Sequence, residues 1–362
     1  MAYEPQFTVT SHLVKMLEEV SVFREKIMAA TIQVPWVPAL QKDARARNTH
    51  SSTAIEGNPL TLEEVRMLEE GQKLPLAAER SKREVLNYFA ALRHVEKHSN
   101  QKTFRHEDIF KLHHIIAADV MDQGKAGGRQ PFVSVGTGKR LSAPGGRGPG
   151  QYRTTRVRVG NHIPPEVYLV NRLMKELLEW WNEKSSAWSP VISSAIIHYR
   201  FEDIHPFADG NGRTGRMLAL WELYRRGFDT HHLFSVDEVY WEKRQLYYQH
   251  LDLVRKEGND LTSWLEYSAE ALHLTLERVW NRIQPLAVKT GSEKLILRPK
   301  QEKLLSLLRD RRQLSPSEIW KALGVSKQGA MDLIKPLIQA GLIRKIGSKK
   351  MGKYILENRS QN

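Results

Sequence analysis

Apolar residues recur every three or four positions along most of this chain, and that spacing predicts a protein built mainly of α-helices. Two runs near the start show it: Leu13, Met16, Leu17, Val20 and Phe23, and then Val85, Tyr88, Phe89 and Leu92. Between these runs, Thr61 and Glu64 have the spacing of a capping box, which predicts the start of a helix. The periodicity returns at Val170 and continues with interruptions to about Ile283. We therefore expect helices on both sides of one non-helical region.

That region begins with a glycine-rich segment. Gly124 to Gly150 contains nine glycines, five basic residues and no acidic residue, a composition that excludes a helix. Apolar and polar residues then alternate from Tyr152 to Val159, which predicts a short strand. We interpret the region as a loop that leads into a β-hairpin.

The composition excludes several classes of chemistry. The 362 residues include no cysteine, so disulfides, thiolate zinc sites and thiol nucleophiles are ruled out. The first ten residues, MAYEPQFTVT, lack the pattern of a signal peptide, and no apolar run reaches membrane-spanning length. We expect a cytoplasmic protein with no membrane partner.

Positive charge is concentrated at the C-terminal end. The whole chain has 55 basic and 41 acidic residues, a formal net charge of +14. Residues 292–362 alone hold 16 basic and 6 acidic residues, and 16 − 6 gives +10. A basic excess confined to one segment favours a nucleic-acid partner more than a diffuse excess does.

The same segment has the element order of a DNA-binding domain. Ser315 followed by Pro316 predicts a capped helix, which runs to Leu323. A second helix is expected from about Lys327, and a strand from about Ile343, followed by a basic turn and a last strand. This order resembles a winged helix-turn-helix domain, which binds DNA in some proteins and protein in others.

Two details of that segment affect the interpretation. Pro336 lies inside the second helix, where a proline removes one backbone hydrogen bond and is expected to kink or shorten the helix. Lys349 and Lys350 lie in the turn between the strands, and there we expect them to contact DNA phosphates.

The strongest chemical signal is the stretch HPFADGNGR, from His205 to Arg213, with Arg216 three residues later. A glycine-containing loop that enters a helix presents free backbone N–H groups, which cradle an anion. Two arginines three residues apart lie on one helix face and can bind phosphate oxygens. Asp209 supplies the single carboxylate that Mg²⁺ often uses together with substrate phosphates. The imidazole of His205 can take a proton from a hydroxyl at neutral pH.

This stretch matches, position by position, the signature H-P-F-x-[DE]-G-N-G-R-x-x-R of the Fic family, and the likeness extends over roughly residues 10–280. The resemblance implies a mainly α fold, in which a Fic-type helical bundle carries a short β-hairpin flap. It also implies AMPylation, the transfer of AMP from ATP to Ser, Thr or Tyr hydroxyls of proteins, this chain included, with release of pyrophosphate.

The resemblance also assigns roles to individual residues. His205 would be the general base, Asp209 the Mg²⁺ ligand and Phe207 the apolar anchor of the loop. The phosphates would contact the remaining motif residues, which are Gly210, Asn211, Gly212, Arg213 and Arg216, with Arg216 at the γ-phosphate. The adenosine pocket would involve Val159, Gly160, Tyr240 and Tyr248, although packing in an aromatic core is the alternative for the two tyrosines.

A second stretch resembles the inhibitory pattern [ST]-x-x-x-E-[GN] of the same family. It spans Ser52 to Gly57 and contains Glu56. The resemblance implies that Glu56 pairs with Arg216, and an arginine paired with a carboxylate cannot also bind the γ-phosphate of ATP.

We expect four parts: residues 1–110, a helical extension with the inhibitory pattern; 111–283, the Fic core; 284–299, a linker; and 300–362, the winged helix-turn-helix.

Two other functions stay open, a DNA-binding regulator whose core senses a nucleotide and a hydrolase that removes AMP with Glu56 aligning water. The presence of His205 favours transfer over sensing, because nucleotide binding alone needs no base. The sequence also leaves open a homodimer.

Overall fold

The computed structural model describes residues 3–30, 37–121, 130–133, 140–143, 148–160, 162–228, 232–284, 299–339, 342–347 and 352–357. It divides into two compact units. One consists of Met1–Lys26 with Gln41–Val279, and the other of Ile27–Leu40 with Trp280–Asn362. The domain boundaries given above stay predictions.

Helices dominate the chain as far as Ile283. They are α1 Ser11–Ala29, α2 Val37–Ile55, α3 Leu62–Glu69, α4 Glu79–Lys97, α5 His106–Ala117, α6 Val167–Glu183, α7 Pro190–Ile204, α8 Asn211–Arg225, α9 Asp237–Glu242, α10 Arg244–Lys256 and α11 Thr262–Ile283. The predicted capping box is present, because the Thr61 hydroxyl accepts the Glu64 N–H and the Glu64 carboxylate accepts the Thr61 N–H at the start of α3.

Helices α7 and α8 form the centre of the first unit. Most residues of both helices are buried, which is expected when a helix is surrounded on all sides. Aromatic packing fixes α8 from one direction: the ring of Phe104 stacks on Trp181 with centroids 4.0 Å apart and meets Trp221 edge-on at 4.8 Å. The loop between α7 and α8, residues 205–210, is therefore held at both ends by rigid elements.

The predicted strand from Tyr152 to Val159 is wrong. Strands β1 Gln130–Val133 and β2 Arg140–Ala143 pair antiparallel inside the glycine-rich segment, whereas residues 152–158 form no strand and Val159 forms only an isolated bridge with His162. The reason lies in the hydrogen bonds of Arg153, whose backbone N–H donates to Pro206 O at 2.8 Å. The segment therefore bonds to the loop after α7 and not to a neighbouring strand.

The second unit contains α12 Pro299–Arg311, α13 Pro316–Leu323, α14 Lys327–Gln339 and the antiparallel strands β3 Ile343–Ile346 and β4 Lys353–Leu356. The three helices and the strand pair bury an apolar core that includes Leu304, Leu308, Ile319, Ile334 and Tyr354. Ser315 and Glu318 form a capping box at the start of α13, as the sequence predicts for Ser315, and Gly324 ends that helix in the left-handed conformation.

Pro336 lies inside α14 without ending it, since the helix continues to Gln339. The winged-helix interpretation stays a prediction. Lys349, Lys350 and most of the linker, residues 285–298, lie outside the described residues.

Within the described ranges, every helix is too short or too polar to cross a lipid bilayer. The cytoplasmic location stays a prediction.

Candidate active site at the start of helix α8

The backbone of His205 is held in an uncommon conformation. His205 follows the last residue of α7 and has φ 48° and ψ 61°, in the left-handed region, which non-glycine residues rarely adopt. Its N–H donates to Phe201 O at 2.9 Å, and its carbonyl accepts from Arg153 Nε at 2.9 Å. Both polar backbone groups of His205 are therefore fixed.

Asn211 closes the loop that follows. Its side-chain oxygen accepts the Phe207 N–H and its Nδ2 donates to Phe207 O, both at 2.9 Å. The Phe207 ring is fully buried and stacks on His113 with centroids 3.6 Å apart and planes 1° apart. The Asn211 side chain therefore shapes the loop. Its backbone N–H lies in the first turn of α8, where N–H groups have no intrahelical acceptor, and its part in an anion cradle stays a prediction.

His205 is neutral at physiological pH. Burial is the main cause that lowers the pKa of its imidazole to about 3, and the charges of His162, Arg153 and Arg255 lower the pKa further. Its Nδ1 lies 3.7 Å from Glu202 Oε2 and has no hydrogen-bond partner among the described residues. A neutral imidazole is the form that accepts a proton.

Glu202 is a buried acid that lies beside the His205 imidazole. Burial, with the nearby charge of Glu56, raises the pKa of the Glu202 carboxyl to about 7. A Cβ at Gly215 would come within 2.5 Å of Glu202 Oε1. Glycine at this position of α8 thus makes room for the acid.

Asp209 is half-exposed, with 48% of its side-chain surface accessible. Its Oδ1 accepts the Gly210 N–H at 2.6 Å and lies 3.6 Å from Arg213 Nη2. Partial burial acts to raise the pKa of the carboxyl, but Arg213, the Gly210 N–H and Arg80 outweigh it, so the pKa lies below its usual value. The described residues contain no group of three or more His, Cys, Asp or Glu that could hold a metal. One charged carboxylate suits a Mg²⁺ ion whose other ligands are phosphates and water.

Arg213 has hydrogen-bond donors that lack acceptors. Its side chain is 6% exposed, and its Nε and Nη1 have no hydrogen-bond partner among the described residues. Glu84 Oε1 lies 3.9 Å from Nη1, too far for a hydrogen bond. A buried guanidinium with unsatisfied donors is a site that an anion such as a phosphate would satisfy.

The stretch from Ser52 to Gly57 and the motif meet at Arg216. Arg216 Nη2 donates to Glu56 Oε1 at 2.8 Å and to Ser52 O at 2.9 Å, and its Nε donates to Ser52 Oγ at 2.8 Å. Asp237 Oδ2 lies 3.6 Å from Nε. Burial acts to lower the pKa of the guanidinium, but Glu56 and the other polar neighbours raise it well above its usual value. The arginine is therefore charged, and its Nε and Nη2 groups donate to the stretch from Ser52 to Glu56.

Glycine at position 212 allows this contact. A Cβ at Gly212 would overlap Glu56 Oε1, so any other residue there would push the carboxylate away from the start of α8. Glycine at this position of α8 thus permits the approach of Glu56, whose side chain is 30% exposed.

The residues predicted for an adenosine pocket lie in two places. Val159 and His162 exchange backbone hydrogen bonds around Gly160. Tyr240 is buried in an aromatic cluster, where its ring stacks on Tyr247 with centroids 4.8 Å apart, as the packing alternative expects. The ring of Tyr248 packs against the ring of Tyr247, with centroids 5.1 Å apart. Their roles toward a nucleotide stay predictions.

Sequence reasoning missed four residues of this site: His113, Arg153, Glu202 and Asp237. His113 joins two segments, because its ring lies 2.8 Å from Asp209 O and accepts the Gly150 N–H at 2.9 Å. A histidine on the apolar face of a helix was the only signal for it, and Arg153 was one of several similar arginines in its segment. Glu202, three residues before His205, could have been found as a neighbour on the same helix face.

Comparison with known sequences supports the resemblance stated above. Residues 103–223 match the sequence model of the Fic/DOC family. The protein adenylyltransferase Fic of Drosophila grimshawi is 28% identical over 262 residues, which are 70% of this chain and 48% of that protein. The protein adenylyltransferase fic-1 of Caenorhabditis elegans is 29% identical over 252 residues, 68% of this chain and 42% of that protein. The chain spans less than half the length of either relative.

The fold is also found among solved structures. The crystal structure of a Fic family protein from Desulfovibrio desulfuricans G20 superimposes with a TM-score of 0.65 at 24% identity, covering 99% of this chain and all of that one. The Fic resemblance and the mainly helical Fic fold are thereby confirmed.

Proposed function

We propose that this protein transfers AMP from ATP to Ser, Thr or Tyr hydroxyls of proteins, itself included, and that Glu56 restrains the reaction. One observation carries the proposal. A single loop and the first turns of α8 hold a neutral imidazole that is only 14% exposed, a charged half-exposed carboxylate and a guanidinium with unsatisfied donors. The relatives named protein adenylyltransferase support the same reaction.

Each group of the site has a separate role in the reaction. His205 takes the proton of the incoming hydroxyl, whose oxygen attacks the α-phosphorus of ATP. A new phosphorus–oxygen bond forms as the bond to the β-phosphate oxygen breaks, and pyrophosphate leaves. The N–H groups at the start of α8 and the guanidinium of Arg213 stabilise the charge on the phosphate oxygens.

Asp209 and the phosphates of ATP would hold the Mg²⁺ ion. A bound Mg²⁺ neutralises phosphate charge and orients the leaving group. The Gly210 N–H and Arg213 fix the orientation of the Asp209 carboxylate and keep it charged, so the site is ready for the ion when ATP enters.

Asp209→Asn is expected to lower AMP transfer by at least about 10²-fold, since charge stabilisation by a metal ion is worth several kcal/mol and each 1.36 kcal/mol is a factor of ten. Initial rates of covalent labelling, measured from low to saturating Mg²⁺, test this. Glu179→Gln, which changes an exposed carboxylate of α6, is the matched control. Transfer by Asp209→Asn at the parent rate at every Mg²⁺ concentration would remove Asp209 from the metal site.

We propose a second role for the basic C-terminal unit, the binding of duplex DNA. The observation that favours it is the net charge of +10 in residues 292–362. Phosphate contacts made by lysines displace counterions, so affinity falls steeply as salt rises.

The full-length protein is therefore expected to bind duplex DNA at low salt. Changing Lys349 and Lys350 to Glu should weaken binding to all sequences alike and reduce the slope of log affinity against log salt by about 2. Fluorescence anisotropy at several salt concentrations measures both effects. Arg172 and Lys175, exposed on α6, changed to Glu together, are the control for net charge. No binding even at low salt would leave the unit a protein-docking role.

A further inference from the structure

Arg153 is a buried cation whose described side-chain hydrogen bonds all go to carbonyl oxygens. The residue is 2% exposed. Its Nε donates to His205 O at 2.9 Å, Nη1 to Thr155 O at 3.2 Å and Nη2 to Pro165 O at 2.5 Å. Within the described ranges it forms no ion pair, and Glu166, the acid whose charge acts on it, is paired with Arg156 at 2.7 Å.

The place of this cation explains how its burial is tolerated. His205 caps the C-terminus of α7, where the last carbonyls lack intrahelical donors and the helix dipole favours positive charge. Arg153 supplies both a donor and a positive charge at that end. Hydrogen bonds from a charged donor are stronger than those between neutral groups, which offsets the cost of removing the guanidinium from water.

The residue also determines the geometry of the general base. A left-handed backbone is disfavoured for a residue with a Cβ and persists only where the surrounding structure fixes it. At His205 that fixation has three parts: the N–H bonded to Phe201 O, the carbonyl bonded to Arg153 Nε, and the following carbonyl, Pro206 O, bonded to the Arg153 N–H. Arg153 supplies two of the three.

We infer that Arg153 is a positioning residue for AMP transfer, which aims the His205 imidazole by holding the backbone of residues 205 and 206. It acts through His205 and contacts neither ATP nor the incoming hydroxyl. The inference rests on the proposed function, in which His205 is the base. A loss of Arg153 should therefore reduce kcat and leave the affinity for ATP nearly unchanged.

The test compares Arg153→Met and Arg153→Lys in the Glu56→Gly protein. Methionine keeps apolar volume but no side-chain donor, and lysine keeps the charge and one side-chain donor group. The bond from the backbone N–H to Pro206 O remains in both variants, so the test isolates the contact of the side chain with His205 O. We expect Arg153→Met to lower kcat by about 10²-fold, the typical effect of a misplacement of about 1 Å, with little change in KM for ATP. The kcat of Arg153→Lys should lie between that of Arg153→Met and that of the parent. Arg156→Met, which changes an arginine of the same segment that is 79% exposed, is the matched control and should keep the parent kcat.

A second readout does not depend on activity. Hydrogen–deuterium exchange followed by mass spectrometry should show faster exchange of residues 205–211 in Arg153→Met, with α6 and α11 unchanged. If the Glu56→Gly parent transfers no label, the proposed function fails, and the exchange result still decides whether the Arg153 side chain holds the backbone of residues 205 and 206.

Three results would overturn the inference. The first is a parent-level kcat in Arg153→Met. The second is unchanged exchange of residues 205–211 in that variant. The third is faster exchange throughout the first unit together with an equal loss of kcat in Arg153→Met and Arg153→Lys. If Arg153→Met does not fold, Arg153→Lys decides: a lowered kcat at unchanged KM and unchanged thermal midpoint supports the inference, and a parent-level kcat contradicts it.

Discussion

His205→Ala, made in the Glu56→Gly protein, is expected to lower AMP transfer by about 10²- to 10⁴-fold, the usual contribution of a positioned general base. The reason is that the imidazole is neutral, with a pKa of about 3, and no other described side chain of the loop is an uncharged nitrogen base. ATP should bind with nearly unchanged affinity, because the proposal assigns its phosphates to Arg213 and the start of α8. Initial labelling rates and calorimetric titration with ATP measure the two quantities.

The control for His205→Ala is His12→Ala, which removes a half-exposed histidine that pairs with Glu270. It should leave both quantities unchanged. If His205→Ala transfers AMP at the parent rate, His205 is not the base. If it loses ATP binding as well as transfer, the loop has been disturbed and the imidazole has a structural role.

Glu56→Gly is expected to raise automodification by on the order of 10²-fold, the rate difference that a misplacement of about 1 Å produces. In the resting protein, Arg216 Nη2 donates to Glu56 Oε1 at 2.8 Å, and Asp237 and Ser52 hold the rest of the guanidinium. Removal of Glu56 leaves those two contacts in place, so Arg216 stays positioned while one of its donors becomes available to the γ-phosphate. Arg216→Lys in the Glu56→Gly background should lose most of the gain, because an ammonium cannot reproduce the planar guanidinium contacts.

Glu56 follows the last residue of α2, and a glycine there gives the backbone more freedom, so the Glu56 result needs a control. Glu63→Gly, in the nearby helix α3, also replaces a solvent-accessible carboxylate with glycine. Its automodification should equal that of the wild type. Equal activity of Glu56→Gly and the wild type would contradict the inhibitory role. A gain seen only in the removal of AMP from modified protein would instead support the hydrolase alternative.

The sequence predicts local features of this protein well. The motif residues from His205 to Arg216 lie within twelve positions, and the capping boxes at Thr61 and Ser315 depend on residues three apart. Helical periodicity likewise depends on neighbours in the sequence. Such features are determined by short-range geometry, which a single sequence contains.

The sequence does not predict contacts between distant residues. Arg153 bonds to a carbonyl 52 positions later and His113 lies beside one 96 positions later, and neither partner can be read from the pattern around them. The alternation after Gly150 predicts a strand that the fold does not form, because alternation shows which side chains share a face and not what the backbone bonds to. Only the fold shows that this backbone bonds to the motif loop.

The most direct test of AMP transfer compares ATP labelled at the α-phosphate with ATP labelled at the γ-phosphate. Each is incubated with the Glu56→Gly protein and Mg²⁺, and covalent label on the protein is measured after denaturation. The proposed reaction joins the α-phosphorus to a protein hydroxyl and releases the β- and γ-phosphates together, so label should enter the protein from α-labelled ATP alone. Label from γ-labelled ATP, or no covalent label from either, would contradict the proposal that this protein transfers AMP.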